Sequence, residues 1–513
     1  MRRRRLCGLA ALAWLQGCSG GSAGPASALS GGPAAAAARQ SCGLPLPGTV
    51  SVPAPVPPLD AIDVRRHGVR GDGHSPDGLA LQRLLDQATP GQTLWFAPGV
   101  YLQDRVLTLR QTGVTLLGHG ATLHATDPGR QALVVEGHDC RILGFTLTAV
   151  TDTRRMAPWE SRIAVWRQHG SEAVRGVHIR DNRIIEHGPP GSAGANSSSS
   201  AAIYLERATG FVLTGNLVRR SLSDGIHITG GSRDGLVAGN LVRETGDDMI
   251  AVVSYLDADA ATPLPAPAVL LAQLPARRER HLVRNVLITG NDLAGGYWGR
   301  GISVVGGEDI GIVDNTLDRC VHAAAIYLAR EPGWRSFGVR NVRVAGNRIS
   351  QVQTLPPAYS VLDEPDRSAR TGHGAIELVA HLQAAEAGLP GLAEAFGIDA
   401  VLLQDNRVHG AATPGIRIGE GWGRVIDVPA GPGASGVQAV RGTAAPVRRV
   451  ALQGNQVQAT AGGIVVFNAT DPQAGLQHAD NRVDGQPWVP SSGQPLGAAA
   501  ALATGSRLGC DFA

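Results

Sequence analysis

Two adjacent aspartates, Asp247 and Asp248, follow Asp224 by 23 and 24 residues. The segments Asp224-Gly225-Ile226-His227-Ile228 and Asp248-Met249-Ile250-Ala251-Val252 each begin eight residues after an asparagine, Asn216 and Asn240. Arg300-Gly301-Ile302-Ser303-Val304 begins nine after Asn291, and Ala324-Ala325-Ile326-Tyr327-Leu328 nine after Asn315. If each Asn marks the same place in a repeating unit, three carboxylates and a guanidinium collect in one column. Glycoside hydrolysis needs such a set: a protonated carboxyl for the leaving oxygen and an ionised one to activate water. Crowding like charges raises at least one pKa and so supplies the acid form near neutral pH. Turn chemistry accounts for a single Asp. It accounts less well for an adjacent pair in register with a third.

The repeat that must position these groups runs from residue 113 onward. A β-rich run is followed by Gly-Asn or Asp-Asn, a short apolar pair, a polar turn and another β-rich run. The asparagines are Asn182, Asn216, Asn240, Asn291, Asn315, Asn347, Asn406, Asn455 and Asn481. Strands of three to five residues at this period suit a solenoid whose rungs stack by parallel pairing about 4.8 Å apart. An inward Asn at each turn would satisfy buried backbone groups of its own and the neighbouring rung. The Gly and Pro content, 68 and 32 residues, disfavours a mainly helical chain. At the start, Ser75-Pro76-Asp77 reads as a helix start, with Leu81, Leu84, Leu85 and Ala88 on one apolar face. Such a helix would cap the open end of the coil. The expected fold is an all-β, single-stranded parallel β-helix with an N-terminal capping helix, over residues 59–486. Insertions are expected near 257–282 and 355–398, and a tail over 487–513.

Strand alternation sorts the side chains. Ile226, Ile228, Ile250, Val252, Ile302, Val304, Ile326 and Leu328 would point inward. Tyr204, His227, Ala251, Ser303, Tyr327, Glu377 and Arg417 would form an outward column facing solvent. Tyr255, Tyr297, Trp298 and Trp334 fall at strand exits near the same face, where rings can stack on sugar C–H faces. Trp298, two residues before Arg300, is the best placed of them. The 257–282 insertion would wall the cleft beside Asp248. Gly191 to Ser200 reads as a flexible tip.

The asparagine column resembles the ladder of right-handed parallel β-helices, and residues 69–101 resemble the N-terminal cap of pectate-lyase-type proteins, a resemblance that covers roughly residues 60–485. Ser223-Asp224-Gly225-Ile226-His227 is similar to the Asn-Thr-Asp-Gly segment of family 28 glycoside hydrolases, the polygalacturonases. Thr245-Gly246-Asp247-Asp248 is similar to their Gly-Asp-Asp segment, one rung on. The resemblance implies catalytic roles for Asp224, Asp247 and Asp248. Asp247 would be the general acid, Asp224 and Asp248 would hold and deprotonate water, and the outcome would be inversion. The family's Gly-His-Gly stands here as Gly299-Arg300-Gly301, and its Arg-Ile-Lys is replaced by Tyr327-Leu328-Ala329, with Arg330 as a substitute. The resemblance therefore implies a different substrate, contacted by His227, Arg300, Tyr327, Trp298, Tyr255 and Arg330.

Two rival classes share the fold. A polysaccharide lyase or uronate C5-epimerase would use Arg300, His227 and Tyr327, with calcium on the Asp cluster. A non-catalytic carbohydrate-binding solenoid would need no acid pair. The hydrolase reading calls for no metal or cofactor.

The N-terminus reads as an address. Arg2–Arg5 form a basic run, Leu6 to Leu15 an apolar stretch too short to span, and Leu15-Gln16-Gly17-Cys18 resembles a bacterial lipobox. Residues 1–17 would be removed and Cys18 lipidated. Residues 18–58 would carry a flexible tether, placing the protein in the cell envelope, anchored at the outer membrane. An ordinary secretory signal is the plainer alternative. Loss of Arg2–Arg5 takes the formal charge from +3 to −1, which removes any case for nucleic-acid binding. Cys42, Cys140, Cys320 and Cys510 would remain in a compartment that permits disulfides. No Cys-x-x-Cys occurs to suggest zinc.

Overall fold

The computed structural model describes residues 57–495 apart from 171, 188–195, 258–263, 297, 355–370, 420–424, 430–436, 442, 468–474 and 491–493. The leader, Cys18, most of the tether, Cys42, Tyr297, Cys510 and most of the tail lie outside the described residues. The rest winds as a parallel β-helix whose coils contribute to three long sheets of 16, 14 and 12 strands. One coil runs Ile226–Thr229, Arg233–Ala238, Leu241–Arg243, and the next begins at Ile250–Val253. Each strand pairs with its equivalents one coil before and after, in parallel.

The asparagines explain why the corner after the second strand repeats so regularly. All nine are buried. Asn240 Oδ1 accepts from both the backbone N–H and Nδ2 of Asn216, at 3.0 Å each. Its own Nδ2 donates to the Asn291 Oδ1 at 3.0 Å and to the Leu213 carbonyl at 3.0 Å. The same links run unbroken from Asn182 to Asn481. The residue before each Asn must be left-handed. This position is always Gly or Asp, and where Gly follows an Asp there is a steric reason: at Gly346 (φ +66°) a Cβ would fall 2.2 Å from the Asp314 carboxylate of the preceding coil.

The first described elements depart from expectation in one detail. Helix α1 spans Gly78–Gln87 with Leu81, Leu84 and Leu85 buried against the first coils. Ser75 and Pro76 do not start it, because they belong to the strand Asp72–Pro76. Asp77 precedes the helix, but its carboxylate accepts instead from the N–H groups of Arg70, Gly71 and Leu102, tying the cap to the first coil. The 257–282 interruption contains helix α2, Pro267–His281. It follows the exit of the strand whose entrance carries Asp248. It packs along that corner, with Arg278 on Glu308 and the carbonyl of Arg280 against Gly231. The expected insertion near 355–398 is not continuous. Ile376–Leu382 is a regular rung strand, followed by helices α3 (Ala384–Ala387) and α4 (Pro390–Ala395). Cys140 and Cys320 are buried free thiols.

Candidate active site

The 12-stranded sheet carries the expected columns. Ile226, Ile228, Ile250, Val252, Ile302, Val304, Ile326 and Leu328 are fully buried in the core. On the outer face Tyr204, His227, Ala251, Ser303, Tyr327, Glu377 and Arg417 pair in register from coil to coil. Their exposure differs from expectation. His227, Ala251, Ser303, Tyr327 and Glu377 are buried, because side chains from the strand ends fold across them. Tyr255 packs over Ala251 and Tyr327, and the Arg417 Nε donates to both oxygens of Glu377 at 2.8 Å.

Asp224, Asp247 and Asp248 meet at the entrance to adjacent strands of this sheet. One oxygen from each lies within 4.8 Å of the others. The backbone fixes the meeting: Gly225 N–H donates to the Asp248 carbonyl at 2.9 Å, and Asp247 N–H to the Ser223 carbonyl at 3.1 Å. Gly299 packs on the Asp247–Asp248 peptide, where a Cβ would lie 2.3 Å from backbone atoms. That contact is why a glycine precedes Arg300.

Each carboxylate has a different environment. Asp224 accepts from, or donates to, His227 Nδ1 at 2.7 Å according to the proton's position. Burial raises its pKa, the His227 bond opposes this, and Asp247 adds to it. Asp248 accepts from the Arg300 N–H at 2.6 Å and the Ser303 hydroxyl at 2.5 Å. Burial pushes its pKa up to about 7, with Asp247 and Asp224 helping and Arg300 and Ser303 opposing. Asp247 receives the Arg154 guanidinium on Oδ2 and the Asp248 N–H on Oδ1. Its side chain is the most open of the three, 22% exposed against 12% and 6%.

The other predicted contacts divide. Arg300 lies 4.4 Å over the Tyr327 ring and donates to Glu331 at 2.6 Å, with Asp248 at 3.6 Å. Burial works against its charge, but Glu331 and Asp248 outweigh that and hold its pKa above the ordinary value. Tyr327 donates to the same Glu331 oxygen at 2.9 Å. Burial, then the nearby carboxylates led by Asp224, raises the pKa of Tyr255. Trp298 stacks on His322 at 4.5 Å, and Trp334 is exposed. Arg330 is the correction. It is fully buried, donates to both oxygens of Glu386 at 2.8 and 2.7 Å, and lies 4.4 Å over Phe396, away from the outer face.

Sequence reasoning missed Arg154, Glu331 and the aromatic pair Trp159 and Trp166. Arg154 and Trp159 belong to residues 150–162, a long link into the strand Ile163–Val165. That link occupies the same turn as the three aspartates, so extending the alignment back past Asn182 was the available signal. Of residues 191–200, expected to be a flexible tip, 191–195 lie outside the described residues, and 196–200 instead buttress this link. Ser197 to Ser200 are buried, Ser199 accepts from Arg155 N–H at 2.7 Å, and Ser200 donates to the Glu160 carbonyl at 3.2 Å.

A family model described as rhamnogalacturonase A/epimerase, pectate lyase-like, matches residues 61–324, just over half the chain. Among solved structures, the Agl-KA catalytic domain is similar at 12% identity and a TM-score of 0.56. That match covers 84% of this chain but only 66% of the other, just under two thirds of its length. The catalytic domain of a GH87 α-1,3-glucanase in complex with tetrasaccharides is similar at 11% identity and a TM-score of 0.54, over 84% of this chain and 71% of that one. The A-module of a mannuronan C-5 epimerase from Azotobacter vinelandii is similar at 14% identity and a TM-score of 0.50, over 84% and 99%. These likenesses are of fold. No curated protein sequence matches.

Proposed function

The chain belongs to the rhamnogalacturonase A/epimerase, pectate lyase-like family, and on that footing we propose that it is an inverting glycoside hydrolase acting on a neutral polysaccharide in the cell envelope. The observation that carries the reading is the meeting of three carboxylates within 4.8 Å on the outer face of the coil. Asp247, the most open, is the general acid: its Oδ2 must exchange the Arg154 guanidinium for a proton, which it then gives to the leaving oxygen. Asp224 and Asp248 hold the attacking water and take its proton, with His227 aligning Asp224 and the Arg300 N–H and Ser303 aligning Asp248. Inverting pairs usually stand about 6.5–9.5 Å apart to admit water between them. Here the oxygens are closer, so water sits against the Asp224–Asp248 pair and not in a gap between acid and base.

The charge balance argues for a neutral sugar. A uronate carboxylate needs a cation not already committed. Arg154 meets Asp247, Arg300 meets Glu331 and Asp248, and Arg417 meets Glu377. A lyase or epimerase has the same need, since its chemistry begins by neutralising that carboxylate. The similar folds include both an α-1,3-glucanase and a mannuronan epimerase, so the fold alone does not choose. Calcium fits poorly as well. It takes 6–8 oxygen ligands, whereas these oxygens already receive donors from Arg154, Arg300 and Ser303. Turnover is expected to survive EDTA.

The test is release of reducing ends from a panel of neutral and uronate polysaccharides. Reducing ends from a neutral polymer, without ultraviolet absorbance, support the reading, and NMR should show the inverted anomer first. Unsaturated products sink the hydrolase, and a retained anomer would make Asp224 or Asp248 a nucleophile.

The pH profile follows from Asp248. As part of the base it must be ionised, and its pKa lies near 7. The kcat/KM is therefore expected to fall as pH drops through about 7, with the apparent value belonging to the whole cluster. Ser303 stabilises the ionised form, so Ser303→Ala should move this acid limb to higher pH. An unmoved or lower limb contradicts the assignment.

A further inference from the structure

We propose that Trp159, Trp166 and Tyr204 form a glycan-binding platform on the outer face ahead of Asp224, gripping the polymer on the N-terminal side of the carboxylates. The proposal rests on the hydrolase reading only for where cleavage occurs. Coil by coil, the outward column before Asp224 reads Val134, Ala164, Tyr204, His227. Trp166 and Tyr204 pack over the small side chains Ala132, Val134 and Ala164. Trp159 stands 5.6 Å from Trp166, tilted by 49°, and is 41% exposed. Tyr204 then stacks on His227, ring centroids 5.3 Å apart and planes 3° off parallel, and His227 contacts Asp224. Aromatic surface thus continues from an exposed indole to a catalytic carboxylate.

Single exposed apolar side chains are ordinary. This link is different because Val150, Met156 and Trp159 are all exposed on it, at 48%, 40% and 41%. Arg154 in the same link reaches Asp247, so the segment that would hold the sugar also touches the acid. Two coils separate Trp166 from the strand after Asp224, about 10 Å at ~4.8 Å per coil. A polymer lying along the coil axis would span that distance. Indole faces bind sugar C–H faces without a charge partner, in keeping with a neutral chain.

The experiment uses the full protein carrying Asp247→Asn, in which turnover is blocked but binding persists. Affinity electrophoresis is run through gels containing laminarin, xylan, dextran, soluble starch, polygalacturonate or alginate. At least one neutral polymer should retard the protein. Adding Trp159→Ala and Trp166→Ala should weaken that retardation roughly tenfold, about 1.4 kcal/mol. Trp159→Phe should keep most of it. If Trp166→Ala disturbs folding, Trp159→Ala alone serves, because Trp159 is exposed. Undiminished retardation in the Trp variants overturns the platform and leaves hydrolysis standing. Reducing-end release by the wild type with no retardation of the Asp247→Asn protein also overturns the platform alone. Neither release nor retardation on any neutral polymer overturns both.

Discussion

Asp247→Asn is expected to lower turnover of the polymer by about 10²–10⁴-fold, the usual contribution of a positioned general acid, while the protein stays folded. Asn keeps the shape and one acceptor for the Asp248 N–H, now held at 3.1 Å, but has no proton to give. The loss should depend on the leaving group. An aryl glycoside of the same sugar departs without protonation, so Asp247→Asn should cost it far less than it costs the polymer. Asp224→Asn and Asp248→Asn remove the base and should hurt both substrates alike. Equal losses for Asp247→Asn on the two substrates would move the acid role elsewhere. Arg154 acts through Asp247. Arg154→Gln should therefore alter the basic limb of the pH profile and kcat more than KM, whereas a purely structural role would leave the pH profile in place.

The column containing these residues was readable because two periods coincide. Alternation with period two assigns inside and outside along each strand, and the buried asparagines mark where each coil restarts. Together they place Ala251 beside Ser303 with no knowledge of the intervening insertion, whose chain leaves and rejoins at one corner. Loops carry no such clock. Arg154 touches Asp247 although 93 residues separate them, because residues 196–200 hold its loop in place. Nothing in the spacing of Arg154 reports that. Burial of the outward column was likewise hidden, since it depends on Tyr255 folding back over its neighbours.

Arg330 shows alternation being overlooked and leads to a large expected effect on stability. With Ile326 and Leu328 inward, Arg330 falls on the inward side too, and the structure buries it beneath α3 and α4. Glu386, itself buried, closes the pair and also accepts from the Gln383 N–H at 2.8 Å, capping α3. Removing one member of a buried pair leaves the other charge without compensation, at a cost of about 3–5 kcal/mol. Arg330→Met should therefore lower the unfolding free energy by that much, read as a lower urea midpoint at unchanged slope. Replacing both charges with apolar groups of similar volume is commonly near neutral. Arg330→Met with Glu386→Leu should recover most of the loss, short of the capping bond to Gln383. Enzyme kinetics complete the test. If Arg330 gripped substrate from the outer face, its replacement would raise KM at unchanged stability, and the burial argued here would be wrong.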